Sequence, residues 1–189
     1  MLFTITPTGA LTVLHNFDSS NPGYGYWPTD LILASDGNFY GTTLFGGAFG
    51  YGVIYRIGPK GNYRVLHNFD NANGANPTVL RQHTNGKIYG SASGGGSYDR
   101  GVLYEFDPGL SSFIILQPTS GRVGSVVDVL GTGLLDTRTV RFGSSIASFT
   151  VNLDGYLTAI VPDGTATGEV KVHSQGKPLQ SSTIFNILP

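Results

Sequence analysis

An internal repeat limits the fold of this 189-residue chain more than any other feature. The run Val-Leu-His-Asn-Phe-Asp at residues 13–18 recurs without change at residues 65–70, an offset of 52 residues. A second register without gaps, at an offset of 49, aligns residues 28–69 with residues 77–118. Self-similarity at a period of about 50 residues predicts an array of similar supersecondary units.

Each repeat contains four short segments rich in aromatic and β-branched residues, the pattern of four β-strands. In the complete repeat these segments are Asp30–Ala34, Asn38–Thr43, Gly52–Ile57 and Tyr63–Phe69. Turn-forming residues join the first strand to the second and the third to the fourth. No segment carries a helical period of useful length, so a helical solenoid is excluded.

Four antiparallel strands in about 50 residues predict a β-propeller blade. The propeller-type domain then covers residues 1–116, as a half blade at 2–18 and two four-stranded blades at 28–70 and 77–116. So few blades cannot close a ring of the usual size, roughly four to eight blades. The strand edges and apolar flanks left open predict self-association into a homo-oligomer.

The long loops of the array are predicted to share one face. Hairpin connections alternate between the two ends of a sheet, so the two short turns lie at one end and the two long loops at the other. The long loops are residues 44–51 and 93–100 after the second strand, and residues 18–27 and 70–76 after the fourth. The candidate ligand-binding residues on this long-loop face are Tyr24, Tyr26, Trp27, Phe49, Tyr51, Tyr98 and Arg100.

The first long loop contains an aromatic insertion. The run Tyr24-Gly25-Tyr26-Trp27 makes this loop three residues longer than its equivalent in the next repeat. Flat rings beside Asn, Ser and Asp side chains suit stacking on a sugar, with hydrogen bonds to its hydroxyl groups. The alternative is that Trp27 fills apolar space between two blades. The first interpretation predicts a neutral saccharide ligand, and the second predicts a purely structural side chain.

The order of motifs in the repeat resembles the GloVer tandem repeat, of the Gloeobacter/Verrucomicrobia type. The matching motifs are Asn-Phe-Tyr-Gly-Thr-Thr at 38–43, Gly-Gly at 46–47, Gly-Val-Ile-Tyr at 52–55 and Val-Leu-His-Asn-Phe at 65–69. The resemblance covers residues 2–116 and implies a β-propeller-like architecture in an exported bacterial protein, often anchored at the cell surface. It implies no catalytic residues.

The repeat is expected to stop at residue 116, and residues 117–189 read as six or seven short strands separated by Gly-containing turns. Regular alternating strands predict a separate immunoglobulin-like β-sandwich. The side chains expected to face its core are Val127, Val140, Phe142, Phe149, Val170, Val172 and Phe185. Motifs such as Pro-Thr-Ser-Gly at 118–121 and Gly-Thr-Gly at 131–133 resemble an IPT/TIG domain, which implies a spacer or accessory module.

Composition excludes several classes of function. The net charge of −1 leaves no basic face for a nucleic-acid backbone. The absence of cysteine excludes disulfides, thiolate metal sites and cysteine nucleophiles. No stretch approaches the length of a membrane-spanning helix. The first residues lack the charged and apolar regions of a signal peptide, so either the protein is cytoplasmic or its export signal lies outside this sequence. The location implied by the resemblance favours the second alternative.

The polar residues that could act in catalysis or bind a metal are better explained by packing and turn-forming roles. His15 and His67 occupy equivalent repeat positions, which predicts a packing role, and Asp18 and Asp70 close the same motif as turn formers. No metal site and no cofactor are predicted. A glycosidase needs two carboxyl groups close together, and the weak candidates that approach the long-loop face are Asp30 and Asp99.

Two functions therefore stay open at the level of sequence. The favoured one is a non-catalytic extracellular module that binds a saccharide or joins an assembly, as part of a larger bacterial surface protein. The alternative is a glycoside hydrolase or lyase that acts on polysaccharide. The sequence contains neither the Gly-x-Ser-x-Gly motif nor the His-Glu-x-x-His motif of hydrolases. Their absence favours the first function.

Overall fold

The computed structural model describes residues 1–174 and 177–189 and is almost entirely β-structure. Within those ranges the chain forms nineteen strands and one short 3-10 helix (Pro22–Tyr24). They divide between two compact units, the first of residues 1–83 and 87–108, the second of residues 84–86 and 109–189. The all-β prediction is confirmed. The described ranges contain no helix that is long and apolar enough to cross a lipid bilayer.

The first unit contains three antiparallel sheets, one for each repeat. Its strands are β1 (Leu2–Ile5), β2 (Leu11–His15), β3 (Tyr26–Leu33), β4 (Phe39–Phe45), β5 (Val53–Ile57), β6 (Tyr63–Asn68), β7 (Ala75–Gln82), β8 (Ile88–Gly94) and β9 (Val102–Phe106). The N-terminal hairpin is β1-β2, the second sheet is β3-β4-β5-β6 and the third sheet is β7-β8-β9. A half blade followed by a complete four-stranded blade is therefore present, as predicted.

The same aromatic contact joins each sheet to the next. The Phe17 ring of the N-terminal hairpin lies 5.3 Å from the Tyr55 ring of the second sheet, centroid to centroid. The equivalent Phe69 ring of the second sheet lies 5.1 Å from the Tyr104 ring of the third. Because equivalent residues make equivalent contacts, the sheets pack in a repeating, β-propeller-like manner.

The second unit is built from strands that follow residue 112. They are β10 (Phe113–Gln117), β11 (Ser120–Gly121), β12 (Val126–Leu130), β13 (Thr137–Phe142), β14 (Ser145–Ala147), β15 (Phe149–Leu153), β16 (Tyr156–Ile160), β17 (Val170–Ser174), β18 (Lys177–Ser181) and β19 (Asn186–Ile187). Hydrogen bonds order eight of them as β14-β13-β17-β18-β10-β12-β16-β15, while β11 and β19 form a separate pair. Strand β18 escaped the sequence prediction because it contains Pro178, which weakens a strand signal.

These strands enclose one apolar core. The predicted side chains Val127, Val140, Phe142, Val170, Val172 and Phe185 are all buried in it, and Phe149 packs against it. Those that lie in strands alternate with less buried residues, as the two-residue period of a half-buried strand requires. The prediction of a single core in this part of the chain is confirmed.

The fourth strand predicted for the third sheet is wrong. Strand β10 pairs antiparallel with β12 and parallel with β18, so it belongs to the second unit. Its side chains Ile114 and Leu116 are buried in the core of that unit. The last identity between the two complete repeats is Pro59 with Pro108, and the first unit also ends at Pro108. The boundary expected at residue 116 therefore lies about one strand too late.

Candidate ligand-binding face

The long loops meet at one end of the first unit. The Gly47 amide in the β4–β5 loop donates a 2.7 Å hydrogen bond to the Pro22 carbonyl in the loop that enters β3. In the next repeat the Gly96 amide donates a 2.8 Å bond to the Asn71 carbonyl. Each loop after a second strand is thus bonded to the loop that enters its own sheet. The predicted long-loop face exists in both repeats.

Trp27 is the most unusual residue on this face. It lies in β3, which begins at Tyr26, four residues before the strand expected from sequence. Its side chain is 64% exposed, and its ring meets the Phe45 ring edge-on, with centroids 5.4 Å apart. Tyr26 lies 5.8 Å from the same Phe45 ring. Together Tyr26, Trp27 and Phe45 form a small aromatic cluster, here called the aromatic cluster, and packing between sheets does not bury Trp27.

The backbone at Trp27 has a positive φ of 60°. A bulky L-residue rarely adopts this left-handed conformation, since its side chain crowds the backbone. The equivalent position in the next repeat is Asn76, with a φ of 57°. Trp27 therefore has a counterpart in that repeat and is not one of the three extra residues of its loop, contrary to the interpretation from sequence. Asparagine tolerates this conformation far better, and the Asn76 side chain also donates to the Leu44 carbonyl. The repeat therefore requires this backbone shape, and the first repeat places a tryptophan where an asparagine fits best.

The remaining candidate aromatics are exposed but are not part of the aromatic cluster. Tyr24 ends the 3-10 helix, and its ring lies 6.0 Å from that of Tyr63, whose hydroxyl donates to the Tyr24 carbonyl. Phe49 and Tyr51 lie in the β4–β5 loop, and Tyr98 and Arg100 lie in the β8–β9 loop, all at the surface. Of the seven predicted residues, the structure brings Tyr26 and Trp27 together in the aromatic cluster, with Phe45 between them.

The two weak catalytic candidates serve local contacts. One Asp30 oxygen accepts a 2.8 Å hydrogen bond from the Leu80 amide and a 3.1 Å bond from Arg81, joining the second sheet to the third. Asp99, with a φ of 51°, accepts a 2.8 Å bond from the Gly95 amide and closes its own loop. The structure therefore gives each carboxylate a role in loop or sheet geometry, in separate sheets.

The turn-forming roles predicted for Asp18 and Asp70 are confirmed. Asp18 accepts hydrogen bonds from the amide and the hydroxyl of Ser20, at 2.9 and 2.7 Å. These bonds stabilise the carboxylate and lower the pKa of Asp18. Asp70 accepts a 2.9 Å bond from the Asn73 amide in the equivalent loop.

His15 and His67 pack in the same way, as predicted. Each imidazole meets the phenyl ring two residues later edge-on, at 4.8 Å for Phe17 and 4.9 Å for Phe69. His15 also stacks flat on Tyr63 at 3.8 Å. Burial lowers the pKa of His15, and its Nε2 makes no hydrogen bond within residues 1–174 and 177–189. Protonation would therefore add a charged N–H that lacks an acceptor.

The lowered pKa of His15 predicts acid sensitivity. In the unfolded chain His15 takes up a proton near its ordinary pKa of 6.5, but in the folded chain it does so only at lower pH. Stability should therefore fall as the pH drops below 6.5 through the lowered pKa, and should level off beneath it. Urea unfolding at several pH values between about 7 and 5 measures this. His15→Gln should flatten that part of the profile, and an unchanged slope in the variant would contradict the assignment.

A groove on the third sheet did not emerge from the sequence predictions. It has a volume of about 480 Å³ and is lined by Val79, Arg81, Tyr89, Ser91, Leu103 and Tyr104, among others. The repeat alignment contained an indication of this apolar surface, because Leu103 is equivalent to Ile54 and both are apolar. What the alignment could not show is which of the two equivalent positions another sheet covers.

Comparison with known proteins identifies the repeat. The family model described as Gloeobacter/Verrucomicrobia repeat matches residues 1–157. No curated protein matches the sequence. Among solved structures, the chain is similar to selenomethionine-substituted virginiamycin B lyase from Staphylococcus aureus, at 16% identity and a TM-score of 0.33. The similarity covers 99% of this chain and 63% of the lyase chain, so this chain spans less than two thirds of that protein.

Proposed function

This chain belongs to the Gloeobacter/Verrucomicrobia repeat family, and from this premise we propose that it is a non-catalytic saccharide-binding module of a bacterial surface protein. The repeat sheets support the loops, and the long-loop face presents the aromatic cluster to the ligand. The second unit serves as an accessory module beside the repeats.

The strained, exposed Trp27 supports the binding role most strongly. A tryptophan that is 64% exposed contributes little to a core, and its left-handed backbone costs stability. The next repeat avoids that cost by placing Asn76 at the equivalent position. A strained residue with no packing role is a candidate for binding, because its cost must be offset elsewhere.

The chemistry around the cluster favours a neutral, hydroxyl-rich ligand. An exposed ring face beside a second aromatic ring offers a flat apolar surface, which matches the C–H face of a sugar ring. Charged residues make up only 12% of the chain, about half the usual share, so an ionic ligand would find few partners. The exposed loop carbonyls, amides and Tyr hydroxyls can bond to sugar hydroxyls.

Exchanging the ring for the residue of the next repeat tests this function. Trp27→Asn should weaken binding on a glycan array or in calorimetry by about tenfold or more, since one stacked ring is lost. Asparagine is compatible with the left-handed backbone, so the melting temperature should stay within about 3 °C of the parent value. Trp27→Phe is the matched control, because it keeps an aromatic ring at the same position and should retain most of the affinity.

Two outcomes would contradict the saccharide proposal. The first is a clear fall in melting temperature in Trp27→Asn with unchanged glycan affinity, which would assign a packing role to Trp27. The second is sugar release by the unmodified chain in a reducing-sugar assay, abolished in Asp30→Asn or Asp99→Asn. That result would instead support the hydrolase or lyase alternative, which no contact in the described structure favours.

The strand order of the second unit supports an immunoglobulin-like, IPT/TIG-type module. If β10, β12, β13, β15, β16, β17 and β18 are labelled A to G, one side of the order is A-B-E-D and the other is G-F-C. This is the arrangement of strands in an immunoglobulin constant-type domain, with strand A bridging the two sheets. Such modules commonly act as spacers, in keeping with a non-catalytic role.

Self-association of the repeat unit is the second part of the proposed function. The hairpin and the third sheet both leave large apolar side chains at the surface, notably Phe3, Ile5 and Leu103. Exposed apolar area of this kind is unfavourable in water by roughly 25 cal/mol per Å² and favours association.

A further inference from the structure

The third sheet exposes a surface that the second sheet buries. Ile54 of the second sheet is 1% exposed, whereas the equivalent Leu103 of the third sheet is 90% exposed. Tyr40 is 2% exposed, and its equivalent Tyr89 is 37% exposed. Both exposed residues line the groove of about 480 Å³, so the groove is the side of the third sheet on which another repeat would pack. We call this surface the open face of the third sheet.

The covering of the second sheet shows what such a surface accepts. Ile54 is buried in a cluster with Ala92, and Val102 and Tyr104 of the third sheet pack against it. The surface that covers Ile54 is the side of the third sheet that faces away from its own open face. Strand β9 provides most of this covering surface. A partner for the open face of the third sheet should therefore present the same side of a repeat, with apolar residues at the positions of Val102 and Tyr104.

The N-terminal hairpin presents that side to solvent. Phe3 pairs across the hairpin with Val13, and Ile5 pairs with Leu11, so the four apolar side chains form two cross-strand pairs on one surface. All four are exposed, Ile5 by 62%. We call this surface the hairpin face.

The second sheet has the same two pairs at equivalent positions, where they are covered. Tyr55 pairs with Val65 and Ile57 pairs with Tyr63, in the register of the hairpin pairs. The other side of the hairpin packs on these residues through Leu14 and Phe17, among others, and Tyr55 and Ile57 are at most 1% exposed. The hairpin face is therefore a repeat surface of the type that ordinarily lies against a preceding sheet.

We propose that the hairpin face of one copy docks on the open face of the third sheet of a second copy. The inference deepens the proposed self-association and adds which surfaces meet. Phe3 is equivalent to Tyr55 and Tyr104, the residues that receive the preceding sheet in each internal contact. In the association it packs near Leu103, much as Tyr104 packs near Ile54. The contact therefore reproduces between copies the repeat-on-repeat packing already present within one copy.

The two docking surfaces are different, so the association is head to tail. Each copy has one hairpin face and one open face of the third sheet. When two copies form a single contact, the pair still has one free hairpin face and one free open face. A heterologous contact of this kind generates rings when its rotation closes and open chains when it does not. It also predicts that a variant of one surface and a variant of the other associate with each other when mixed, which an isologous dimer does not predict.

Sedimentation velocity on the full chain tests the pairing. The unmodified chain should show a concentration-dependent sedimentation coefficient at tens of micromolar. Leu103→Asp or Phe3→Asp should each weaken self-association by about tenfold or more, because a charge would be buried without a partner. Mixing the two variants should restore a complex of two copies and no larger species, since one intact surface remains on each. Leu153→Asp, at an exposed position in the second unit, is the matched control and should associate like the parent.

The outcomes separate the pairing from the broader proposal. If the unmodified chain stays monomeric, self-association itself is wrong. If it associates and either single variant still associates normally, the assignment of these two surfaces is wrong while self-association stands. A mixture of the two variants that remains monomeric would also overturn the head-to-tail pairing. Circular dichroism of each variant shows that the fold is retained, and glycan binding is measured separately, so a negative result there leaves the pairing unaffected.

Discussion

Ile114→Asp is expected to unfold the second unit while the repeat sheets keep their structure. Ile114 is fully buried in the core that β10 shares with β12, β13 and β17. An unpaired carboxylate at this position costs about 4 kcal/mol or more, a large fraction of the stability of a small domain. Hydrogen exchange read by mass spectrometry should show lost protection in peptides from residues 126–172 and retained protection in peptides from residues 38–68.

The neighbouring residue supplies the control for this experiment. Ile115 lies on the same strand but points to the other side and is partly exposed. Ile115→Asp should therefore change protection far less than Ile114→Asp. Loss of protection in the third sheet instead of the second unit would mean that β10 belongs to the repeat, as the sequence suggested.

Gly41→Ala is expected to destabilise the first unit by about 2 kcal/mol, because the added methyl group has no space. A Cβ at Gly41 would lie 2.3 Å from the Tyr55 hydroxyl oxygen and 2.8 Å from the Asp30 carbonyl oxygen. Tyr55 is buried and pairs directly with Gly41 across the sheet, so its ring cannot move aside. Urea unfolding followed by the fluorescence of Trp27, the sole tryptophan of the sequence, measures the change.

A second glycine in the same unit is the matched control for the Gly41 prediction. Gly23 in the 3-10 helix has no atom within 4 Å of a Cβ placed on it, so Gly23→Ala should be nearly neutral. The repeat offers a confirmation, since Gly90 is packed against Tyr104 in the same way. Equal unfolding midpoints for Gly41→Ala and Gly23→Ala would contradict the close approach of Tyr55 to the strand.

The sequence by itself determined the features that depend on local spacing. The repeat register, the hairpins and the grouping of long loops on one face follow from turn residues and from alternation along strands, which act over a few residues. The packing roles of His15 and His67 followed from their equivalence in the repeat. Much of the core of the second unit was also predictable, because the strands that carry Val127, Val140 and Val172 each show a two-residue pattern.

Only the tertiary structure decided which sheet β10 joins and which surfaces stay open. A strand with Ile114, Ile115 and Leu116 in succession has apolar residues on both sides, so its own sequence suits either sheet, and pairing with β12 and β18 makes the choice. Leu103 is as apolar as Ile54, yet its exposure depends on whether another sheet lies against it. The left-handed backbone of Trp27 likewise arises where distant loops meet, since burial and strain at one residue are set by neighbours that lie far away along the chain.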